Sequence, residues 1–425
     1  MSQNSTPSSS SPSAVSADST AAKEEIKVDS RTVNWVMTTN FAEGLPFMIV
    51  RIVSTVFYTD IGLRERYLGY LNILAGAWNL KFLWAPFVDI FSTKRRWIVA
   101  LQAAIASLIM LVALICYTIP AEGDPTRYLA FIAIIFVGMA FLSATNDIAI
   151  DAYYLEGIPN KADQAAYSGF RILAYRLAMV FARSGLVALA AIMGSVLGGT
   201  NKYLPWVYAF AAGGLMMFAL AIVHSLMLKD FYPKQTTTTA KEKLHAYGQA
   251  FASYLKQDRV ALVIIFIIIY KIGDEILFSM VTPFLLREIG LTKGQLSWLG
   301  GFVGAAGTII GAMIGGWWIK QWGLKRAIWP LTLLMNFNIW AYIWLAWAKP
   351  NPQTTSGITL IAVIHGYEQI AAGLGSTALT VFIMRTCNPN FRAAHYAIGS
   401  AIMSLCATLI GSFGGVIVEN IGYLN

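Results

Sequence analysis

A small set of ionisable side chains interrupts the long apolar runs of this chain, and their chemistry needs a reason. Glu43 and Arg51 fall in the first run, Lys81 in the second, and Asp147 and Asp151 in the fourth. Arg171, Arg176 and Arg183 fall in the fifth, Lys271, Asp274 and Glu275 in the seventh, and Glu368 in the tenth. A charge in a hydrocarbon region costs a few kcal/mol even on insertion scales, so each is a functional candidate. A carboxylate there can carry a proton, because burial raises its proton affinity and a nearby cation lowers it. Glu43, Asp147, Asp274 and Glu275 have the position for that role. Guanidinium keeps its charge and grips carboxylate or phosphate with two parallel hydrogen bonds. Arg176 and Arg183, seven apart, are expected on one helix face. With Arg51, Lys271 and the amide of Asn146 they are candidates for holding an anionic substrate. Other readings stay open: an arginine paired with Asp147, Asp151 or Glu368, Lys271 paired with Glu275, or a structural bridge from Asp147 to Arg171 at similar depth.

These residues must be positioned by membrane helices. Apolar residues make up 57% of the 425 and charged residues only 12%, about half the charged share of a soluble chain. Runs of roughly 20 residues, each long enough to cross a ~30 Å hydrocarbon core, lie near 34–58, 68–90, 97–119, 128–154, 164–193, 205–228, 259–286, 295–319, 325–348, 357–384 and 393–418. Eleven helical spans follow. Barrel strands would be half as long and alternate in polarity.

The net charge of +9 is topological. With the N-terminus inside, inner segments and the inner ends of the spans beside them carry 18 of the 31 Lys and Arg and outer loops carry 7, which places the N-terminus in the cytoplasm. A nucleic-acid surface is the weaker explanation. Cys116, Cys387 and Cys406 show no pairing or metal spacing, and the four histidines are scattered, so neither a disulfide framework nor a metal or cofactor site is expected. No nucleophile–base constellation marks an enzyme and no phosphate-cradling glycine loop marks an ATP-driven pump. A non-transporting membrane sensor is the remaining alternative from another class.

Three stretches repeat. Asp60-Ile61-Gly62-Leu63 recurs as Glu288-Ile289-Gly290-Leu291, Ala85-x3-Asp89-x2-Ser92-x-Lys94-Arg95 recurs as Gly316-x3-Lys320-x2-Gly323-x-Lys325-Arg326, and Pro159-Asn160 recurs as Pro389-Asn390. The offsets are 228, 231 and 230 residues. One shared offset implies a duplicated six-helix unit, and six spans leave the second copy parallel to the first. The expected organisation is a disordered cytoplasmic tail over 1–32, a six-helix bundle over 33–228, a cytoplasmic linker over 229–258, and a second bundle over 259–425. In the linker, Leu244, Tyr247, Phe251, Tyr254 and Leu255 stand at helical spacing for an interfacial helix. The offset puts the counterpart of the sixth span near residue 435, so six plus five spans are expected and the chain reads as a piece of a longer protein. Gly411, Gly414 and Gly415 are then the face prepared for a twelfth helix.

The loop after the second span, with Asp89, Lys94 and Arg95, resembles the signature of the major facilitator superfamily. An acidic residue facing basic ones at a helix end can lock two helices in one state. Glu43-Gly44-Leu45-Pro46, Lys81-Phe82-Leu83-Trp84-Ala85-Pro86, the decapeptide Ala144 to Tyr153, Tyr175-Arg176-Leu177 and Lys271-x-Gly273-Asp274 narrow the resemblance. They are similar to the AmpG-type muropeptide permeases and their acetyl-CoA transporter relatives. Asn146 stands where that family has Gln. The resemblance implies an all-α two-bundle fold and a monomer in the bacterial inner membrane. It also implies proton-driven import of a polar anion, first of all anhydro-muropeptide, with acetyl-CoA, acyl-CoA or a peptide as alternatives. Asp89, Lys94, Arg95, Asp151 and Arg171 would be gating residues.

Overall fold

The computed structural model describes residues 29–85, 88, 92–198, 201–230, 240–388 and 392–423. Among them every regular element is helical. Helix α1 runs Ser30–Asp60. The second span, α2, is broken into Glu65–Tyr70, Leu71–Ala75, Gly76–Leu80 and Lys81–Leu83. Then come α3 (Lys94–Thr118), α4 (Thr126–Gly157), α5 (Lys161–Val180, continuing to Val196) and α6 (Leu204–Met227). Helix α7 (Ala240–Leu255) links them to α8 (Val260–Pro283, continuing to Glu288), α9 (Lys293–Trp322), α10 (Leu324–Ala348), α11 (Thr355–Thr386) and α12 (Arg392–Ile421). Among the described residues nine of these helices are long and apolar enough to cross a membrane, and with α2 and α8 they fall on the runs expected from the sequence.

Helices α1 and α3–α6 pack on one another, as do α8–α12, and α2 bridges from α4 to α12. The first group buries a continuous core around Leu45, Ile49, Phe57, Ile109, Phe136 and Trp206. The two halves share a hairpin device. Gly62 and Gly290, at matching places in the repeat, both take positive φ, +90° and +78°, where glycine carries no side-chain penalty. Each ends a spanning helix at the same point of its half.

Prolines and π turns loosen the spans where the halves face each other. Pro46 precedes a π turn at Ile49–Val53 and Pro283 one at Phe284–Glu288. Others lie at Phe181–Leu186 in α5 and Leu299–Val303 in α9. A π turn widens the helix by one residue and re-aims the side chains it carries.

One expectation is corrected. The glycine stripe of α12 packs inside the protein: a Cβ on Gly415 would lie 2.0 Å from the Glu65 carbonyl of α2, and one on Gly414 would lie 2.3 Å from Ser279 Oγ of α8. These glycines let backbones touch, as small residues do between membrane helices. In α7, Tyr254 is buried against α12, its ring centroid 5.3 Å from that of His395, while Phe251 and Leu255 are exposed. That helix is therefore docked on the second bundle. The side chains of Leu244 and Tyr247 and the tail up to residue 28 lie outside the described residues.

Candidate functional site

Call the end of the bundle where α1 begins the near end and the opposite one the far end. The Glu43-Gly44-Leu45-Pro46 motif of α1 builds the near-end part of the site residue by residue. Pro46 has no N–H and cannot bond the Ala42 carbonyl one turn back. Asn146 of α4 takes over, its Nδ2 donating to that carbonyl at 3.2 Å. Gly44 lets α5 approach, for a Cβ there would meet Ala178 and the Tyr175 ring at 3.1 Å. Leu45 is core. Glu43 faces α4 and α5, where Arg171 Nη2 lies 3.8 Å from its Oε2.

Arg171 is held from three further sides. It donates to Asp151 through Nη2 and to Asn40 Oδ1 through Nε at 2.9 Å, and its guanidinium stacks 4.5 Å over the Tyr154 ring. Asp147, one turn before Asp151, pairs instead with Lys81 of α2, at 3.5 Å. The neighbouring Trp84 donates from Nε1 to Thr145 Oγ1 at 3.1 Å. Three carboxylates thus share two cations, and both Glu43 Oε2 and Asp147 Oδ1 are buried with no hydrogen-bond partner. Such a cluster is one positive charge short. Asp151 and Lys81 keep 45% and 31% of their side chains exposed although they lie within helical spans, so the near end admits water.

Deeper in the bundle, a crevice opens between the halves. Arg51, Thr55 and Asn72 line it on one side with Arg183, and Ser279 and Gln369 line it on the other. Arg51 and Arg183 each stand on a π turn. Arg51 Nη1 donates to the Asn72 carbonyl at 3.3 Å, and the charge of Glu275 acts on it. Arg183 lies over the glycines of α9, where a Cβ on Gly300 would sit 2.4 Å from its Nε. Next to it, Ser184 Oγ donates across the halves to the Ser297 carbonyl at 2.6 Å.

Not all the sequence-derived candidates gather here. Arg176 is separate: its Nη1 lies 3.8 Å from Met179 Sδ and it is not among the crevice residues. The π turn after Val180 breaks the regular spacing that would have aligned it with Arg183. Asn146 is fully buried and turned to α1, away from the crevice. Of the open readings, the Asp147–Arg171 bridge is not formed: Arg171 pairs with Asp151, one turn on, and Asp147 with Lys81. Asp274 is buried and Glu275 half-buried on α8. The side chain of Lys271, and Asp89, lie outside the described residues. Lys94 is buried, donating to the Val88 carbonyl at 3.0 Å. Arg95 pairs with Asp230 beyond α6 at 2.9 Å, and the Thr93 hydroxyl and this guanidinium hold the Asp230 carboxyl below its usual range. Sequence reading missed Thr55, Asn72, Ser279 and Gln369, uncharged residues of kinds that are scattered through the chain.

At the far end the halves are tied together. Lys293 of α9 pairs with Asp60 at 2.9 Å, Arg287 with Glu65 at 2.6 Å, and Arg66 with Glu419 at 3.4 Å. Arg287 also donates to the Thr59 and Leu63 carbonyls. Among the described residues, every ion pair between the halves lies at this end.

Known proteins with this architecture move solutes. The Anhydromuropeptide permease of Escherichia coli (strain K12) is 25% identical over 390 residues, covering 90% of this chain and 73% of that protein. A putative transporter AmpG 4 of Rickettsia felis is 24% identical over 388 residues, 89% of this chain and 88% of that one. Among solved structures, a bacterial homolog of the human lysosomal transporter Spinster, inward-facing and unoccupied, superposes with a TM-score of 0.66 at 16% identity, over 91% of this chain and 81% of that one. The nucleoside transporter NupG does so with 0.62 at 13%, over 92% and 93%. These likenesses are to transporters and not to enzymes, and the helices make the chain an integral membrane protein. With the profile of that family matching residues 36–415, the chain belongs to the Major Facilitator Superfamily.

Proposed function

We propose that this secondary transporter imports a polar anion together with protons, and that the anion is an anhydro-muropeptide of cell-wall recycling. The observation that carries the anion is the pair of guanidiniums, Arg51 and Arg183, raised on π turns into the crevice between the halves. Two fixed cations in a site of low dielectric favour a ligand with carboxylate or phosphate groups. The permease likeness favours the muropeptide over a peptide or an acyl-CoA.

The excess of basic residues on the near-end segments supports a cytoplasmic N-terminus, and the permease likeness supports a bacterial inner membrane. The far end, closed by three ion pairs, then faces outward, and the wetted near end faces the cell. In this state the crevice is pinched to about 20 Å³, room for a single water. The halves must therefore part before a disaccharide peptide can enter. Proton coupling is supported by the near-end cluster, where Glu43 is the buried carboxylate left without a hydrogen bond at Oε2 and Asp147 is its neighbour. On α8, Glu275 serves Arg51, and Asp274 stays a second candidate with it. Arg171, Asp151, Lys94 and Arg95 stiffen the cytoplasmic ends of α1, α3, α4 and α5 as gating elements. The protein works as a monomer in lipid.

The test is uptake into proteoliposomes with an inward proton gradient, comparing labelled anhydro-muropeptide, free peptide and acyl-CoA. The muropeptide is expected to accumulate and to stop doing so when the gradient is collapsed. Failure of all three to exceed protein-free vesicles overturns the substrate assignment.

A further inference from the structure

The second half holds a charged cluster apart from Glu43. On α11, His365 and Glu368 lie three residues apart on one face, each 1% exposed, with His365 Nδ1 3.3 Å from Glu368 Oε2. The Tyr342 hydroxyl of α10 lies 3.0 Å from the same Nδ1. Gln369 donates from Nε2 to Glu368 Oε2 at 2.8 Å, and its Oε1 accepts from Thr308 of α9 at 3.1 Å. His365 Nε2 is buried without a hydrogen-bond partner.

One imidazole nitrogen carries either a hydrogen or a lone pair. Nδ1 can donate to Glu368 or accept from Tyr342, but it cannot do both. The cluster therefore has two proton arrangements, one with Glu368 ionised and served by His365, the other with Glu368 carrying its own proton.

The other half supplies the charge that chooses between them. Glu368 and Tyr342 lie within electrostatic reach of Arg183. Gly304 of α9 marks the meeting point, since a Cβ there would lie 3.4 Å from both Arg183 Nη1 and Gln369 Oε1. Among the other helices packed on α11, α9 has no charged residue between Lys293 and Lys320 and α12 has none between His395 and Glu419. Helix α8 brings Lys271, Asp274 and Glu275, of which Glu275 acts on Arg51. Among the described side chains, Arg183 is thus the cation that faces Glu368, and it is also a wall of the crevice.

We propose that Glu368, backed by His365, is a proton-binding site controlled by competition for Arg183. When an anionic group of the substrate engages Arg183, Glu368 loses its counter-charge and its carboxylate takes up one proton from the crevice. When the substrate leaves, Arg183 returns to Glu368 and the proton is released. One anionic group and one proton enter together, so the charge of the crevice is unchanged and a neutral analogue cannot drive the exchange. This rests on the anion-transporter reading above, and its test has an arm that needs no substrate.

That arm is infrared spectroscopy of the purified protein near neutral pH, reading the carbonyl stretch of a protonated carboxyl. Arg183→Gln should add such a band relative to wild type, and the Arg183→Gln/Glu368→Gln double variant should lose it. Absence of a new band in Arg183→Gln, or its persistence in the double variant, overturns the proposal. The second arm adds anhydro-muropeptide to weakly buffered protein and reads proton uptake. Wild type should take up one proton more per molecule bound than Glu368→Gln, with the amount bound measured for each. An equal uptake by Glu368→Gln overturns the proposal, also where Arg183→Gln fails to fold. Wild type that binds no muropeptide overturns the substrate assignment instead, and the infrared arm still decides the fate of Glu368.

Discussion

The two ends of the bundle use charge differently. At the far end the ion pairs join one half to the other: Asp60 to Lys293, Glu65 to Arg287, Arg66 to Glu419. At the near end they stay inside the first half, where Lys81 and Arg171 serve Asp147, Asp151 and Glu43. The far-end pairs keep partial exposure, 19% to 45% of the side chain. Exposed pairs contribute about 0–1 kcal/mol each, so three of them make a lock that ligand binding can open. The near-end cluster crosses no interface. It can change its proton count without itself prying the halves apart, which suits a sensor of the gradient better than a latch.

The harshest test of that division is Glu43→Gln. It leaves two carboxylates for two cations and removes the surplus charge. Uphill accumulation should vanish while counterflow without a gradient continues, as measured in proteoliposomes. Loss of counterflow as well would make Glu43 a binding or folding residue and end the contrast between sensor and latch.

Next comes the latch. Arg287 donates to Glu65 at 2.6 Å, to Leu63 O at 2.6 Å and to Thr59 O at 2.9 Å. Removing this partly exposed guanidinium with its two further carbonyl contacts costs about 1–2 kcal/mol, roughly tenfold in an equilibrium. Arg287→Ala should therefore shift the population toward a far end that is open. Spin labels on the far ends of α1 and α9 would report the longer distance. An unchanged distance distribution would show that the glycine contact between α2 and α12, and not charge, keeps that end shut.

A more local effect probes how the near-end cluster is scaffolded. If Asn146 replaces the N–H that Pro46 lacks, Asn146→Ala leaves the Ala42 carbonyl unsatisfied at a cost of about 1–3 kcal/mol. In a Pro46→Ala background the helix regains its own donor, and the same substitution should cost much less. Thermal unfolding in detergent of the four proteins of the cycle reads the difference. Additive costs would separate Asn146 from Pro46.

How far the site was legible follows from what kind of signal each part leaves. Spans are written in hydropathy, so the long helices were placed to within a few residues, and the start of the broken α2 with them. The three stretches around Glu43, Lys81 and Asp147 do meet in space: Glu43 and Asp147 lie on long helices of predictable depth, and Lys81 reaches Asp147 from the broken α2. Their pairing was not legible. Whether Arg171 meets Asp147 or Asp151 depends on one turn of relative sliding between α4 and α5, which no single-helix pattern records. The alignment of Arg176 with Arg183 failed for a related reason: a π turn leaves no composition signal, yet it displaces the side chains beyond it. His365 escaped notice since a lone histidine in an apolar run says nothing until Glu368, Tyr342 and Arg183 are seen around it.

The mildest prediction concerns the loop edge of the near end, where Asp230 accepts from the Thr93 hydroxyl at 2.7 Å and pairs with Arg95 at 2.9 Å. Thr93 is also the N-cap of α3, so this contact ties the start of α3 to the end of α6. The hydroxyl, followed by the guanidinium, lowers the carboxyl below its ordinary value of 3.8. A lowered folded-state value means that the ionised form is favoured by folding. Its contribution is fully present above the unfolded value and is lost as the pH falls through the folded one. The group is largely solvated, so the contribution should be that of a surface pair, about 0.5 kcal/mol. Asp230→Asn should therefore unfold slightly earlier than wild type at neutral pH, and the gap should close below about pH 4 and in high salt. A gap that persists in acid would mean that the residue acts through its neutral hydrogen bond to Thr93, and that the near end owes its order to packing and capping more than to charge.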